Sequence, residues 1–207
     1  MCAMKLYYAP MACSLSPHIA LREPGLPFDL ERVDLMKGTI VSSGKELSTI
    51  TPRAYVPAIV LDDGQVLTEG AVLVQWIADR RPESRLAPAN GTMERVRLQE
   101  WLHYIATELH KAIGIFFNPE VSEAGKKAAR AEGQAKYAHV SKQLEGKDWL
   151  MGAQYTVADG YLYWTLRGWR DFAGFDPTKD DRTLAAYSAR VAARPAVNAA
   201  LAAEGLS

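Results

Sequence analysis

The pattern of apolar residues changes partway along this chain. Short β-prone runs alternate with helical segments in the first part, whereas every later segment has helical spacing only. Pro88 and Gly91 lie between the two parts, in a stretch that neither pattern covers. We therefore predict an α/β domain over residues 1–82, a linker over 83–91 and an all-helical domain over 92–207.

The first part predicts the element order βαβ, a polar loop, and then ββα. The loop spans 34–51 with a short helical stretch near 45–47, and the sequence Asp62-Asp63-Gly64 is typical of a hairpin turn. The predicted strands lie at 5–8, 28–33, 56–61 and 65–67, and the helices begin at 14 or 15 and at 68–69, the second ending near 81.

The second part predicts helices only. After Thr92, apolar residues recur with helical spacing for about five turns, until Asn118-Pro119 ends the helix. Thr156 and Asp159 have the spacing of a capping box. The other predicted helices lie at 122–144, after the capping box, at 183–193 and at 195–204.

Composition excludes several classes of protein. The chain has 24 Lys and Arg against 24 Asp and Glu, so a basic surface for nucleic acid is not expected. Its two cysteines, Cys2 and Cys13, are too few for a disulfide framework, which favours a reducing compartment. Because no apolar run is long enough to span a membrane and no signal-peptide pattern is present, we expect a cytoplasmic protein with no membrane partner.

Cys13 lies between a strand and a helix. The sequence Ala9-Pro10-Met11-Ala12 breaks the strand, and Pro17 fits the first turn of the helix. Cys13 is therefore expected at the helix N-terminus, where free backbone N–H groups and the helix dipole stabilise a thiolate. We predict a lowered thiol pKa; the alternative is a small buried cysteine that fills the turn.

Two further stretches are candidates for ligand binding. Val56-Pro57 opens a strand, and with a cis bond the Val56 backbone faces outward for an extended peptide, although most X–Pro bonds are trans and form ordinary turns. At Thr68-Glu69-Gly70 a helix begins, where backbone N–H groups bind carboxylates and the Glu69 side chain can accept an ammonium group. The alternative is that Glu69 only caps the helix.

His103, Thr107 and His110 are spaced i, i+4 and i+7 on the long predicted helix, so they are expected on one face. Two imidazoles and a hydroxyl beside an apolar stripe suit anion binding or proton transfer, although ordinary boundary residues have the same pattern. No third histidine or carboxylate cluster has ligand spacing, so we expect no metal site.

Together these stretches resemble the glutathione S-transferases, specifically the bacterial beta class. The resemblance extends from Met4 to Leu206 and is most specific in KLYYAPMACSLSPHIALRE, VDLMKG, VPAIVLDDGQVLTEG, EWLHYIATELHK and TVADGYL. It implies a thioredoxin-like N-terminal domain, an all-helical C-terminal domain, a homodimer, and reduced glutathione as cosubstrate with no tightly bound cofactor. The implied activity is conjugation of the glutathione thiolate to small hydrophobic electrophiles, a detoxification reaction.

The resemblance also implies roles for residues of the first part. Cys13 matches the cysteine that lies beside the glutathione sulfur. Val56, before the cis-proline Pro57, matches the backbone contact to the cysteinyl residue of glutathione, and Glu69 and Gly70 match the site for its γ-glutamyl group.

In the second part, His110 with Thr107 beside it matches helical-domain residues that reach back to the active site, so Cys13 and His110 are the implied catalytic residues. Where some relatives have Asn, this chain has His103, which keeps a ring N–H donor.

Two departures from the family pattern lie in the first part. The lysine that binds the glycine carboxylate in some relatives falls at Gly38, which leaves Lys37 one residue early as the candidate. The serine that often follows the glutamate is Gly70 here, which keeps its backbone N–H.

Two other functions remain open at this point. Cys13-Ser14-Leu15-Ser16 lacks a second cysteine, so glutathione-dependent disulfide exchange or reductase activity would run through a monothiol cycle. A protein of another class, a non-catalytic glutathione-fold binding or regulatory protein, is the second alternative, and the presence of Cys13, Glu69 and His110 argues against it.

Overall fold

A computed structural model describes residues 4–206, so Cys2 and Ser207 lie outside the described residues. The chain divides into two compact units. The first contains the residues up to Ser84 together with those from Pro195 onward, and the second is Arg85–Arg194. The C-terminal helix is thus grouped with the sheet, whereas the domain limits predicted above, at 82 and 92, stay predictions.

The first unit is built on one mixed five-stranded sheet with the strand order β3-β2-β1-β4-β5. β1 pairs in parallel with β2 and antiparallel with β4, and the two outer pairs are antiparallel. This confirms the predicted thioredoxin-like class. The elements are β1 Met4–Tyr8, α1 Leu15–Arg22, β2 Asp29–Asp34, β3 Thr39–Ile40, a 3₁₀ turn Leu47–Thr49, β4 Ala58–Leu61, β5 Val66–Leu67, α2 Gly70–Asp79 and a 3₁₀ turn Pro82–Ser84.

Short β-prone runs in the sequence predict β1, β2, β4 and β5, and β3 is the exception. It is only two residues long, with Ile40 buried and Thr39 part-buried, which is too short for alternation to indicate. The predicted irregular loop at 34–51 therefore contains an edge strand. β4 begins at Ala58 rather than at 56, so Val56 lies just outside the ladder.

Helix α1 is almost completely buried, because α2 and the C-terminal helix α8 (Pro195–Ala203) both pack against it. His18 on this helix is fully buried. Its Nδ1 lies 2.8 Å from the Glu204 carboxylate, and Arg22 Nε donates to its Nε2 at 2.8 Å. Since Nε2 accepts, Nδ1 carries the proton and donates to Glu204.

The second unit is helical throughout. Its elements are α3 Met93–Tyr104, a π-helix Ile105–His110, α4 Lys111–Ile113, a 3₁₀ turn Gly114–Phe117, α5 Glu123–Leu144, α6 Val157–Ala173 and α7 Arg182–Ala192. The single helix predicted after Thr92 is thus four consecutive segments with different hydrogen-bond patterns. The apolar stripe is nevertheless buried as predicted, since Leu98, Leu102, Ile105, Leu109 and Ile113 are at most 2% exposed.

Asp159 organises the helices around α6. Thr156 N donates to Asp159 Oδ2 at 2.8 Å, which confirms the predicted capping box. The other carboxylate oxygen accepts from Leu150 N and from the Tyr187 hydroxyl, both at 2.9 Å. One fully buried carboxylate therefore joins α6, α7 and the segment that precedes α6. None of the helices within residues 4–206 has both the length and the apolar character needed to cross a membrane.

Candidate active site

The turn before α1 holds Cys13 in a fixed position. The Ser14 hydroxyl is fully buried and bonds to both backbone groups of Ala9, each at 3.2 Å. Ala12 N also donates to Ala9 O at 3.1 Å, which closes the turn. The Ser14 hydroxyl therefore stabilises the turn itself.

The pKa of Cys13 is raised, whereas the sequence predicted a lowered value. Desolvation by burial raises it to about 12, and the backbone N–H groups of Cys13 and Ser14 only partly offset this. The Cys13 Sγ lies 3.4 Å from Val56 O and donates to it. Burial therefore favours the neutral thiol of Cys13 near pH 7, and the predicted lowering of its pKa is wrong.

Val56 brings a distant loop to the thiol. It is 43 residues from Cys13 in sequence, and its carbonyl accepts from that thiol. The Val56–Pro57 bond is cis, as the resemblance implied. The predicted thiol and the predicted strand-edge residue are therefore neighbours in the fold.

Glu69 lies immediately before α2 with φ +67° and ψ 104°, a backbone conformation that L side chains rarely adopt. Its side chain makes no cap hydrogen bond to α2, so the capping alternative does not hold. The carboxylate is instead exposed and pairs with Arg53 Nη1 at 2.5 Å. Its charge contributes to raising the pKa of Cys13, after the larger effect of burial, so the two groups interact electrostatically. A strained residue beside a thiol is typical of a functional site.

Gly70 and Lys37 differ in their surroundings. Gly70 is the first residue of α2, as the predicted carboxylate site requires. Lys37 lies in the turn between β2 and β3, where its ammonium is exposed and lies 3.7 Å from Asp34 Oδ2. Its backbone N–H donates to Asp34 Oδ1 at 3.2 Å. Among residues 4–206, Asp34 is its hydrogen-bond and ion-pair partner, so no polar bond joins Lys37 to Cys13, Val56 or Glu69.

The three polar residues of the second unit do not share one environment. His103 and Thr107 are exposed and line one open groove of about 640 Å³, and the Thr107 hydroxyl donates to His103 O at 3.0 Å. His110 is turned toward α6 instead, where its ring packs edge-on against that of Trp164, with 4.4 Å between the ring centroids. The prediction of one shared face is wrong, because residues 105–110 form a π-helix whose wider turn rotates each residue by less than the α-helical 100° or so.

Burial keeps the His110 imidazole neutral. It lowers the pKa of His110 to about 4. Nδ1 lies 2.6 Å from the Tyr161 hydroxyl. A phenol donates readily to a neutral imidazole nitrogen, so the pair is consistent with Nδ1 as acceptor and Nε2–H as donor.

Sequence reasoning missed three residues at these positions. Arg53, which pairs with Glu69, lies in a loop with no periodic signal. Tyr161 and Trp164 are buried aromatic residues of α6, and both also contact His110. Their spacing from each other on one helix, three residues apart, is the signal that they could act together. In the described part of the chain, no group of three or more His, Cys, Asp or Glu residues is placed to hold a metal ion.

The first unit is a thioredoxin-like domain with a cysteine just before its first helix, and the second unit is all-helical. The class is therefore that of two-domain proteins with a thioredoxin-like N-terminal domain and a helical C-terminal domain. Comparison with known families is more specific. The family description "Glutathione S-transferase, N-terminal domain" matches residues 10–80, and "Glutathione S-transferase, C-terminal domain" matches residues 107–204. The chain belongs to the glutathione S-transferase family.

Relatives cover the full length of the chain. Glutathione S-transferase GstA of Escherichia coli O157:H7 is 42% identical over 203 residues, which is 98% of this chain and 100% of that protein. The disulfide-bond oxidoreductase YfcG of Escherichia coli K12 is 28% identical over 213 residues, covering 95% of this chain and 93% of that protein.

Solved structures agree with this assignment. BphK, a bacterial glutathione transferase in a ternary complex, is 48% identical with a TM-score of 0.93, over 98% of this chain and 100% of that one. A sphingomonad glutathione S-transferase complexed with glutathione is 43% identical with a TM-score of 0.91 over the same shares. The bacterial beta-class enzyme of Sphingomonas chungbukensis is 42% identical, has a TM-score of 0.92 and also aligns over 98% of this chain and 100% of that one. The beta-class resemblance is therefore confirmed.

Proposed function

We propose that this protein transfers glutathione to small hydrophobic electrophiles and that glutathione binds along Val56. The observation that carries the proposal is the cluster in the first unit: the Cys13 thiol donates to Val56 O, and the uncapped carboxylate of Glu69 lies next to the start of α2. The family name and the glutathione complex of a 43% identical relative support the same ligand.

In this proposal each part of glutathione meets one group. Its cysteinyl backbone pairs with Val56 as an added strand. Its ammonium group lies against the Glu69 carboxylate, and its α-carboxylate accepts from the Gly70 N–H at the start of α2. Arg53 Nη1 donates to one oxygen of Glu69, which leaves the second oxygen for the ligand.

The chemistry then needs a glutathione thiolate, and the neutral Cys13 thiol can stabilise one. When glutathione binds, the Cys13 S–H can turn from Val56 O to donate to the glutathione sulfur, together with N–H groups at the start of α1. The thiolate displaces a leaving group from the electrophile, which forms a carbon–sulfur bond and releases the leaving group with its electron pair. The thiol proton passes to solvent. Two adjacent thiolates would repel, so a neutral Cys13 suits this step better than an ionised one.

His103, Thr107, His110 and Lys37 remain proposed contacts to glutathione, with His110 as a second catalytic residue. Because the His110 imidazole is neutral near pH 7, we propose that it acts as a single N–H donor rather than as a cation. We expect His110→Gln, which keeps an N–H donor, to preserve more conjugation activity than His110→Ala, and steady-state kinetics would measure the difference.

Disulfide exchange is the second candidate function, and the thiol of Cys13 together with the relative YfcG favours it. Exchange requires a thiolate as attacking group, however, and burial holds Cys13 in its neutral form near pH 7. We therefore propose that exchange is the minor activity at neutral pH. Turnover of an aromatic halide by pure protein would exclude the non-catalytic alternative.

The placement of glutathione is tested by Glu69→Gln, which keeps the size of the side chain and removes its charge. We expect glutathione affinity to fall about tenfold or more, because one charge-assisted hydrogen bond to the ammonium is lost. The matched control is Glu83→Gln, which removes an exposed carboxylate that also lies near an arginine, Arg81, at 3.5 Å. Calorimetry that gives Glu69→Gln the wild-type affinity would show that the ammonium lies elsewhere.

We also propose a homodimer, a cytoplasmic location and a role in detoxification. The dimer follows from family membership, and the location is supported by the low cysteine content of the chain. Sedimentation at micromolar concentration is expected to give twice the 22.8 kDa mass of the chain. A species of single-chain mass would contradict the dimer.

A further inference from the structure

The π-helix that precedes α4 ends at His110 and is held from outside by two side chains. Lys111 N, directly after it, bonds to Ala106 O, five residues back, instead of to the carbonyl four residues back that an α-helix would use. Such a wide turn costs stability unless neighbouring groups stabilise it, and π-turns are frequent at functional sites. The question is therefore which groups stabilise this one.

The first such group is the indole of Trp169. Trp169 lies on α6, is fully buried, and donates from Nε1 to Leu109 O at 2.9 Å. Phe116, Tyr137 and Phe175 meet its ring edge-on, with ring centroids 5.7 to 6.1 Å away, so the ring cannot turn freely. The indole N–H is consequently aimed at the carbonyl of the residue just before His110.

The second group is the ammonium of Lys136 on α5. It donates to Glu108 O at 3.4 Å and pairs with the Glu108 carboxylate at 3.0 Å, while Glu132 holds it from the other side at 2.6 Å. Its side chain is only 19% exposed. Two consecutive carbonyls of the π-helix, those of Glu108 and Leu109, thus accept from side chains on two different helices. Side chains that bond to helix carbonyls from outside are one cause of a local departure from α-helical geometry.

We propose that Trp169 and Lys136 are positioning residues that hold the π-turn and thereby set the direction of the His110 ring toward Tyr161 and Trp164. In an uninterrupted α-helix His110 would be rotated relative to α6, and its contacts with Tyr161 and Trp164 would be lost. The consequence for catalysis rests on the proposed function of His110, whereas the effect on the ring itself does not.

The test measures His110 directly, by NMR of its ring nitrogens in wild type, Trp169→Phe and Lys136→Met. In wild type we expect a neutral ring with one defined tautomer down to a pH well below 6, because burial lowers the pKa of His110. In both variants we expect the pKa to move toward the ordinary histidine value of about 6.5 and the tautomer preference to weaken. Trp169→Phe removes the N–H donor, and Lys136→Met removes the ammonium but keeps the length of the chain.

Matched controls separate positioning from general loosening. Trp149→Phe removes a tryptophan of the same unit that contacts Tyr155 and Tyr187 instead. Glu132→Gln removes the charge of one partner of Lys136 but leaves the bond from Lys136 to Glu108 O. Both controls are expected to leave the His110 ring signals unchanged.

Kinetics give the second readout. We expect kcat for an aromatic halide to fall about tenfold in each positioning variant, with KM for glutathione changing less than threefold or so. If the ring signals change but kcat does not, the positioning is real and the catalytic role of His110 is wrong. If Lys136→Met is folded and its His110 signals match those of wild type, the proposal is overturned, whether or not Trp169→Phe folds.

Discussion

The two units place their candidate residues by different means. In the first unit, Cys13, Val56 and Glu69 owe their positions to backbone turns: a closed turn before α1, the segment that precedes β4, and a left-handed residue before α2. In the second unit, His110 owes its position to a change of helical register in the π-helix. A site formed by turns can be predicted from residues such as proline and glycine that mark turns in the sequence. A site that depends on a local change from α-helix to π-helix cannot be predicted from the periodicity of apolar residues.

The two positions also differ in how burial acts on their titratable groups. Burial raises the pKa of Cys13 and lowers the pKa of His110, and in both cases it favours the neutral form. Both groups are therefore uncharged near pH 7, and each becomes charged at a pH far from neutrality. The predictions that follow test this shared neutrality and the different architectures that produce it, from the largest expected effect to the smallest.

The largest effect is expected in the alkylation of Cys13 by iodoacetamide. With a pKa of about 12, Cys13 should react about a thousandfold more slowly at pH 7 than a free thiol does, and its rate should rise steadily up to pH 11 or so. A Cys2→Ser background leaves Cys13 as the only thiol, and the same protein in denaturant should react at the ordinary rate. A folded protein that reacts as fast as a free thiol would restore the helix-tip thiolate predicted from the sequence.

The next effect concerns stability in acid. The pKa of His110 is lowered by burial from 6.5 in the unfolded chain to about 4 in the folded one. Stability is therefore fully present above pH 6.5 and is lost as the pH falls from 6.5 to 4, because the unfolded chain takes up the proton first. The loss attributable to His110 is about 3 kcal/mol at most. Urea unfolding at pH 7 and pH 4.5 should show a smaller acid loss for His110→Gln than for wild type, and equal losses would show that the imidazole is not desolvated.

Two buried helical glycines of the second unit provide a smaller and more local test. A Cβ at Gly133 would approach Trp169 Cζ3 to 2.5 Å, against a ring that three aromatic side chains hold in place. A Cβ at Gly168 would come closest to Ile113 Cδ1, at 2.9 Å, which is the far end of an aliphatic side chain, and its next neighbour is Trp164 Cζ2 at 3.7 Å. We expect Gly133→Ala to lose about 2 kcal/mol of unfolding free energy by overpacking. Gly168→Ala should stay within about 1 kcal/mol, because the gain in helix propensity offsets a small adjustment.

Urea unfolding curves of both alanine variants check this pair. If Gly133→Ala is as stable as Gly168→Ala, the Trp169 ring is mobile, and its indole cannot hold the π-turn. If both lose more than about 2 kcal/mol, the second unit is tightly packed everywhere and Trp169 is not special.

Much of the first site could be predicted because its residues are marked in the sequence. Cys13 follows a strand-breaking Ala-Pro-Met-Ala stretch, and Val56 precedes a proline. What could not be predicted is the surroundings of the sulfur: Val56 O lies 43 residues away in sequence, and burial against it decides the direction of the pKa. The pairing of Arg53 with Glu69 likewise depends on two loops whose approach no local pattern records.

The position of His110 in the second unit could not be predicted, because the sequence around it has a regular helical pattern. The stripe of buried residues is compatible with an uninterrupted α-helix, so the spacing of His103, Thr107 and His110 predicted one face. The only local hint is that Ile105, Leu109 and Ile113 follow one another in two successive four-residue steps, slightly more than the α-helical 3.6 or so. A wider turn keeps such residues on the core side, but this hint is too weak to indicate a π-helix without the donors on α5 and α6.

The smallest effect is expected for Cys13→Ala in conjugation. If Cys13 contributes one neutral S–H hydrogen bond to the glutathione thiolate, its loss costs about 1 kcal/mol, so the rate with an aromatic halide should fall about fivefold. The pKa of the bound glutathione thiol should rise by about 0.7, which the ultraviolet absorbance of the thiolate would report. Cys13→Ser keeps a donor and should lie between alanine and wild type. Exchange with oxidised glutathione should disappear in both variants, since neither retains a sulfur. A fall in conjugation of about a thousandfold, equivalent to about 4 kcal/mol, would mean that Cys13 takes a direct part in the reaction and not only a hydrogen-bonding one.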